Sequence, residues 1–170
     1  MFENLLKNKK GLVMGVANNK SIAWGIAEVC SQAGAKLAFT YQSEALLKRL
    51  QPLAKNIDSN MLIECDVSDP NSIDQTFKKL KNQWGSIDFV VHAIGFSNKE
   101  ELRGRYIETS KENFTNTLAI STFSLTEVAK KAESILNQGG SILTLTYYGS
   151  EKVLPHYNVC LLYTSPSPRD

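Results

Sequence analysis

Gly15, Ser21 and Gly25 stand in a G-x5-S-x3-G spacing at the end of the apolar run "GLVMGV". A glycine at the first position lets the chain turn tightly off a strand. The serine can cap the helix that follows, and the second glycine would let that helix pack close to a sheet. The free N–H groups and positive dipole end of such a helix suit a pyrophosphate. Alone the spacing is a modest signal, because any strand-to-helix turn favours glycine and a capping serine. Three further loops add to it: Gln42 closes "FTYQ", Asp66 and Val67 close "CDV", and "HAIG" runs from His92 to Gly95. An amide or carboxylate in such a place can hydrogen-bond an adenine or a ribose, and a glycine lets a nicotinamide approach the backbone.

The elements that must position these residues are legible as hydrophobic period. Short apolar runs at Gly11–Val16, Lys36–Tyr41, Met61–Val67, Ile87–Gly95 and Ser141–Tyr147 read as strands buried on both faces. Helical patterns fall between them at Ser21–Ala33, Ser43–Lys55, Asn71–Trp84 and Lys111–Leu136, with Gly34 and the Gly139-Gly140 pair at stop positions. The alternation predicts an α/β fold, a three-layer doubly wound parallel sheet of the Rossmann kind. Ligands of such sheets bind beyond the carboxyl ends of the strands. The loops after Val16, Tyr41, Val67 and Ile94 are therefore the place to look, and residues 1–159 read as one domain.

Composition narrows the function classes. The chain has 170 residues, is 42% hydrophobic and 21% charged, and carries a formal net charge of +2 with both signs interspersed, so no basic stripe points to nucleic acid. Cys30, Cys65 and Cys160 lack the pairing or C-x-x-C spacing of a disulfide framework or a zinc site, and no metal site is expected. No stretch approaches the roughly 18 apolar residues of a membrane span, and the N-terminus lacks an apolar stretch of signal-peptide length. The expectation is a cytoplasmic protein with neither nucleic acid nor membrane as partner.

Across residues 8 to 159, "GLVMGVANNKSIAWGIA", "AFTYQSEALLKR", "CDVSD", "DFVVHAIGFSNKEELRGRY" and "LTLTYYGSEKVLPHYNV" resemble the NADH-dependent enoyl-acyl-carrier-protein reductases of type II fatty acid synthesis. These form a divergent branch of the short-chain dehydrogenase/reductase superfamily. Classical members carry T-G-x3-G-x-G in the first loop and N-N-A-G after the fourth strand, and this chain has neither. The resemblance implies that Gly15, Ser21 and Ile22 line the pyrophosphate and ribose and that Gln42 lies at the adenosine ribose. It places Asp66 and Val67 at the adenine and sets Ile94 and Gly95 behind the nicotinamide. NADH is the implied cofactor. The residues leave NADPH open, because Gln42 excludes a 2′-phosphate less firmly than the Asp or Glu of many NAD-specific domains, while Lys48 and Arg49 lie a turn or more into the next helix.

For an enoyl thioester, hydride arrival at the β-carbon drives negative charge onto the thioester oxygen, and a donor aimed there is catalytic. By the resemblance Tyr157 is that donor, Tyr147 is the second tyrosine beside the acyl chain, and Ser97 lies where backbone contacts substrate. Tyr148 reads as packing. His92 and His156 have no Ser, Cys or Asp partner at a recognisable spacing and are not read as general bases. Trp24 and Trp84 read as core, and "KNKK" and "KKLK" as solvated faces.

The family places a lysine seven residues after the tyrosine, where this chain has Thr164, and Pro166 and Pro168 forbid the helix that would carry it. The sheet is accordingly expected to be incomplete at its C-terminal side, with about five of seven strands. Residues 160–170 are expected to be non-native or disordered, and the chain by itself to be inactive. Acyl carrier protein bearing the enoyl group is the implied partner, and a homotetramer the implied assembly of a full-length member. Two other readings stay open: another short-chain dehydrogenase of the 3-oxoacyl reductase type, and a dinucleotide-binding module without catalysis.

Overall fold

The structure, a computed structural model, describes residues 4–147 and 157–159. Five strands, β1 (Lys10–Met14), β2 (Lys36–Tyr41), β3 (Met61–Glu64), β4 (Ile87–His92) and β5 (Leu136–Thr144), form one parallel sheet in the order β3-β2-β1-β4-β5. The helices are α1 (Ile22–Gln32), α2 (Glu44–Asn56), α3 (Pro70–Trp84), α4 (Lys111–Leu118) and α5 (Ser124–Ala132). This is the expected doubly wound α/β fold, and the strand order reverses between β1 and β4.

Side-chain alternation explains the layers. Val13, Phe39 and Val91 lie in register across β1, β2 and β4 and share one core with Ala23, Trp24 and Ala27 of α1 and Leu50 and Ala54 of α2. Trp24 packs on Phe39 with ring centroids 6.1 Å apart. Leu12, Met14, Ala38 and Val90 alternate with them and are equally buried. The return from β3 across to β4 must run right-handed and so carries α3 over that second face, with Ile73, Phe77 and Leu80 buried. Lys131 of α5 bonds Asp74 of α3 at 2.7 Å. Trp84, expected in the core, is only half-buried at the end of α3, where its carbonyl accepts from Lys10 Nζ at 2.9 Å.

Helix ends follow local chemistry. After α1, Gly34 adopts φ 95° and closes a Schellman motif, with Gly34 N–H on Ser31 C=O at 2.9 Å and Ala35 N–H on Cys30 C=O at 3.0 Å. Asp69 caps α3 by accepting from Asn71 N–H at 2.9 Å, with Pro70 at the first helical position. β2 ends at Tyr41 as expected, whereas β1, β3, β4 and β5 stop short of their expected ends. β3 ends at Glu64 because Asp66 Oδ1 accepts from both Ser68 N–H (2.9 Å) and Ser68 Oγ (2.7 Å), folding the chain back on itself.

Three further expectations are corrected. The helix expected over Lys111–Leu136 is broken by a wide turn at Ala119–Phe123, in which Ser124 N–H bonds Ala119 C=O five residues back, and it resumes as α5 only to Ala132. Gly139 and Gly140 are not its stop but lie inside β5, where the pairing with β4 shifts between Ile87 and Phe89. Nor is β5 buried on both faces: it pairs with β4 alone among the described strands, and Leu143 is 47% exposed.

The chain divides into two compact units. One comprises residues up to Ala93 with Glu127–Thr144 and holds the sheet; the other comprises Ile94–Thr126 with the described residues from Leu145 onward. Among the described residues no helix is long and apolar enough to cross a membrane. Tyr148, His156, Cys160, Thr164 and the expected 160–170 tail lie outside the described residues.

Candidate active site

In the sheet unit the first loop leaves β1 through Gly15, whose φ of 95° lies in the left-handed region that glycine tolerates. Ser21 stands at the N-cap of α1, yet its side chain makes no cap bond to the helix. Its Oγ turns back instead and accepts from Ala17 N–H at 3.0 Å and Asn18 N–H at 3.1 Å. The serine therefore shapes the loop, and the first-turn N–H groups of α1 are not covered by its hydroxyl, which suits an anion at that end. Ile22, first residue of the helix, is 69% exposed. Gly25 corrects its expected role: a Cβ built there meets no atom within 4 Å, so this glycine does not serve helix-to-sheet contact.

At the carboxyl ends of β2 and β3 two expected residues meet. Gln42 Nε2 donates to Asp66 Oδ2 at 3.2 Å, while Ser72 Oγ accepts from Asp66 N–H at 2.9 Å. Partial burial pulls the Asp66 carboxyl up, but hydrogen bonds from the Ser68 hydroxyl, the Ser68 backbone and Gln42 outweigh it and hold the group below the ordinary carboxylate range. Val67 beside it is buried, so what it offers a ligand is its backbone. Burial pushes the Cys65 thiol up, and likewise that of half-buried Cys30, as fits free structural cysteines. His92, at the end of β4, is 1% exposed, and burial lowers its pKa, so it stays neutral near neutral pH as part of the core. Among the described residues no group of three or more His, Cys, Asp and Glu could hold a metal ion.

The second unit holds Ile94, Gly95, Ser97 and both tyrosines. Tyr147 and Tyr157 stack with ring centroids 5.3 Å apart and planes inclined by 26°. They are 45% and 42% exposed, open enough to receive a ligand. The hydrogen bond with Tyr157 is the main reason that the Tyr147 phenol is raised above its ordinary pKa. Sequence reasoning missed a long-range bond next to Tyr157. Asn158, in a left-handed conformation at φ 36°, donates from its amide to Glu101 C=O at 2.8 Å, tying the residue after Tyr157 to the 3-10 turn Lys99–Leu102. The local signal was there, since asparagine is among the few residues that tolerate that backbone region.

Also missed were Asn113, Thr117 and Ser121, all buried and all bonded to the segment Phe96–Asn98. Their four-residue spacing marks one face of a helix, but a polar stripe there reads equally as a solvated face. Ser110 anchors the start of α4: its Oγ accepts from Asn113 N–H at 3.1 Å and donates to Glu101 Oε1 at 2.8 Å. Bonds from the Ser110 backbone and hydroxyl lower the Glu101 carboxyl.

Known proteins resemble this chain in sequence and in fold. A family model described as enoyl-(acyl carrier protein) reductase matches residues 15–164. The NADH-dependent enoyl-[acyl-carrier-protein] reductase 1 of Rhizobium meliloti is 57% identical over 155 residues, covering 91% of this chain and 57% of that protein. The corresponding reductase of Rickettsia typhi is 54% identical over 159 residues, covering 94% and 61%. Among solved structures, the reductase of Anaplasma phagocytophilum in complex with NAD superposes with a TM-score of 0.92 at 52% identity, over 95% of this chain and 62% of that one. The chain thus spans about three-fifths of the length of the curated relatives it matches. These matches favour the enoyl-reductase branch over the 3-oxoacyl reductase type, and the chain belongs to the enoyl-(acyl carrier protein) reductase family.

Proposed function

We propose that the protein to which this chain belongs reduces the trans-2,3 double bond of an enoyl thioester carried on acyl carrier protein, using NADH, as a step of fatty acid elongation in the cytoplasm. The observation that carries the reading is the stacked, half-open pair Tyr147 and Tyr157, in a chain of this family. Bound NADH would supply the hydride that reaches the β-carbon. Negative charge then grows on the thioester oxygen. The Tyr157 hydroxyl, with Tyr147 stacked beside it, donates to that oxygen and stabilises the enolate-like transition state more than the ground state. A proton taken up at the α-carbon completes the reduction.

The residues of the sheet unit fit a dinucleotide. The turn at Gly15, the α1 N-terminus that Ser21 leaves uncapped and the exposed Ile22 suit pyrophosphate and ribose. Gln42 and Asp66 suit the adenosine end. Asp66 remains ionised at neutral pH with Gln42 on its other oxygen, and a fixed negative charge there disfavours a 2′-phosphate, which is why NADH and not NADPH is assigned. In this reading Ile94 and Gly95 back the nicotinamide, Ser97 borders the substrate through its backbone, and the full-length protein assembles as a homotetramer.

The test is NADH oxidation by the full-length protein with a crotonyl thioester. Turnover is expected, and Tyr157→Phe should lower kcat roughly a hundredfold or more, the order seen when a single oxyanion donor is removed. A full-length protein that binds NADH but consumes none with any enoyl thioester refutes the reading.

A further inference from the structure

The proposed chemistry leaves the polar stripe Asn113, Thr117 and Ser121 without a role. These side chains are 4%, 0% and 8% exposed, and burying polar groups is unfavourable unless they are bonded. All three bond one short piece of chain, and Asn113 bonds the Glu101 carboxylate as well. Ser121 Oγ accepts from Phe96 N–H at 2.9 Å and donates to Phe96 C=O at 3.1 Å. Two residues on, Asn113 Oδ1 accepts from Asn98 N–H at 2.8 Å. Between these clasps Ser97 Oγ accepts from Thr117 Oγ1 at 3.0 Å and from Asn113 Nδ2 at 3.3 Å, so its hydroxyl is turned inward.

The wide turn at Ala119–Phe123 makes the stripe possible. In a regular α-helix each four-residue step rotates about 40° past a full turn, and a third member drifts off the face set by the first two. The i→i+5 bond from Ser124 to Ala119 widens the turn around Ser121 and keeps it beside Thr117 and Asn113. An apolar face would bury this helix as well. A polar one dictates where the backbone of Phe96, Ser97 and Asn98 lies.

We propose that Asn113, Thr117 and Ser121 are positioning residues that hold the Phe96–Asn98 backbone in the geometry the enoyl thioester requires. The inference rests on the functional reading above, in which Ser97 borders the substrate. The stripe touches neither hydride nor oxyanion; it acts through the segment it clasps.

The full-length enzyme serves for the test, with Ser121→Ala, Ser121→Thr, Asn113→Ala and Asn113→Asp, and with exposed Thr115→Ala as a control. Ser121→Ala should lower kcat/KM for a crotonyl thioester about tenfold, the order expected for one accepted and one donated hydrogen bond. It should leave NADH affinity within about twofold, because the adenosine end is untouched. Hydrogen exchange should quicken at the Phe96 amide in Ser121→Ala and at the Asn98 amide in Asn113→Ala. Ser121→Thr, which keeps the hydroxyl, should recover most of the loss, and Asn113→Asp, which keeps the acceptor for Asn98 N–H but brings a second carboxylate beside Glu101, should restore the slow exchange of the Asn98 amide without restoring full activity. If Ser121→Ala does not fold, the Asn113 pair decides alone. Unchanged kcat/KM in the alanine variants overturns the inference while leaving the functional reading intact. So does a loss that the threonine variant shares in full. A wild-type enzyme without enoyl-thioester turnover instead overturns the functional reading, and the positioning role with it.

Discussion

Ser21 shows how one hydroxyl can change the meaning of a motif. Its place in G-x5-S-x3-G was legible, and a helix cap was the natural inference, but the side chain bonds Ala17 and Asn18 behind it. Ser21→Ala should therefore disturb the loop and not the helix. Two accepted bonds are lost at a half-exposed site, worth about 1 kcal/mol each at most, so KM for NADH in the full-length enzyme should rise several-fold with helix content unchanged by circular dichroism. A change in helicity with unaltered NADH affinity would mean that the serine acts as the cap after all. Gly25, read as a packing glycine, faces open space; only placement in three dimensions distinguishes a glycine needed for approach from one that merely sits in a helix.

At the scale of elements, the strand-helix alternation was readable up to β4 because each piece is short, apolar and ended by a turn residue. The segment after Lys111 was not, for two reasons. A wide turn leaves no break in hydrophobic period, and a pair of glycines suits a helix stop and a strand bulge equally. The bulge has a measurable signature. Gly139 holds φ 78°, and a Cβ on Gly140 would lie 2.6 Å from Leu136 Cγ, 2.8 Å from Asn137 O and 2.9 Å from Asp88 O. Two of those neighbours are backbone carbonyls that cannot step aside, so Gly140→Ala should destabilise the protein by about 2–3 kcal/mol. Gly25→Ala, inside α1 with room to spare, should instead stabilise it by about 0.5–1 kcal/mol. Urea denaturation midpoints of the two variants check both, and equal shifts would contradict the bulge.

Over the whole molecule, acid should act in two separate windows. His92 is buried and its pKa is depressed below 6.5, so below about pH 6.5 the unfolded chain takes up a proton that the folded chain resists, and stability falls as pH drops. Asp74, bonded by Lys131 and Lys78, titrates at about 2 instead of 3.8; its contribution is complete above 3.8 and is lost as pH falls toward 2. His92→Gln should flatten the loss of stability between about pH 7 and 5, where carboxylates stay ionised in both states. Asp74→Asn should flatten only the lower window. Thermal melts across pH distinguish them, and a histidine variant with the parent's slope between pH 7 and 5 would show that His92 is protonated in the fold.

The sequence by itself determined the class of fold, the first four strands and the loops at their carboxyl ends, because hydrophobic period and turn residues are local properties of the chain. It also carried the motifs that placed the chain near its family. Only the tertiary structure decided which polar atoms meet: Gln42 with Asp66 across 24 positions, Phe96 with Ser121 across 25, and Asn158 with Glu101 across 57. Hydrogen bonds between residues so far apart leave no periodic trace, since each depends on the direction of a side chain after the backbone has packed. That is why Tyr147 and Tyr157 could be proposed from motifs in the sequence, while the bonds of Asn158 and Ser121 could not.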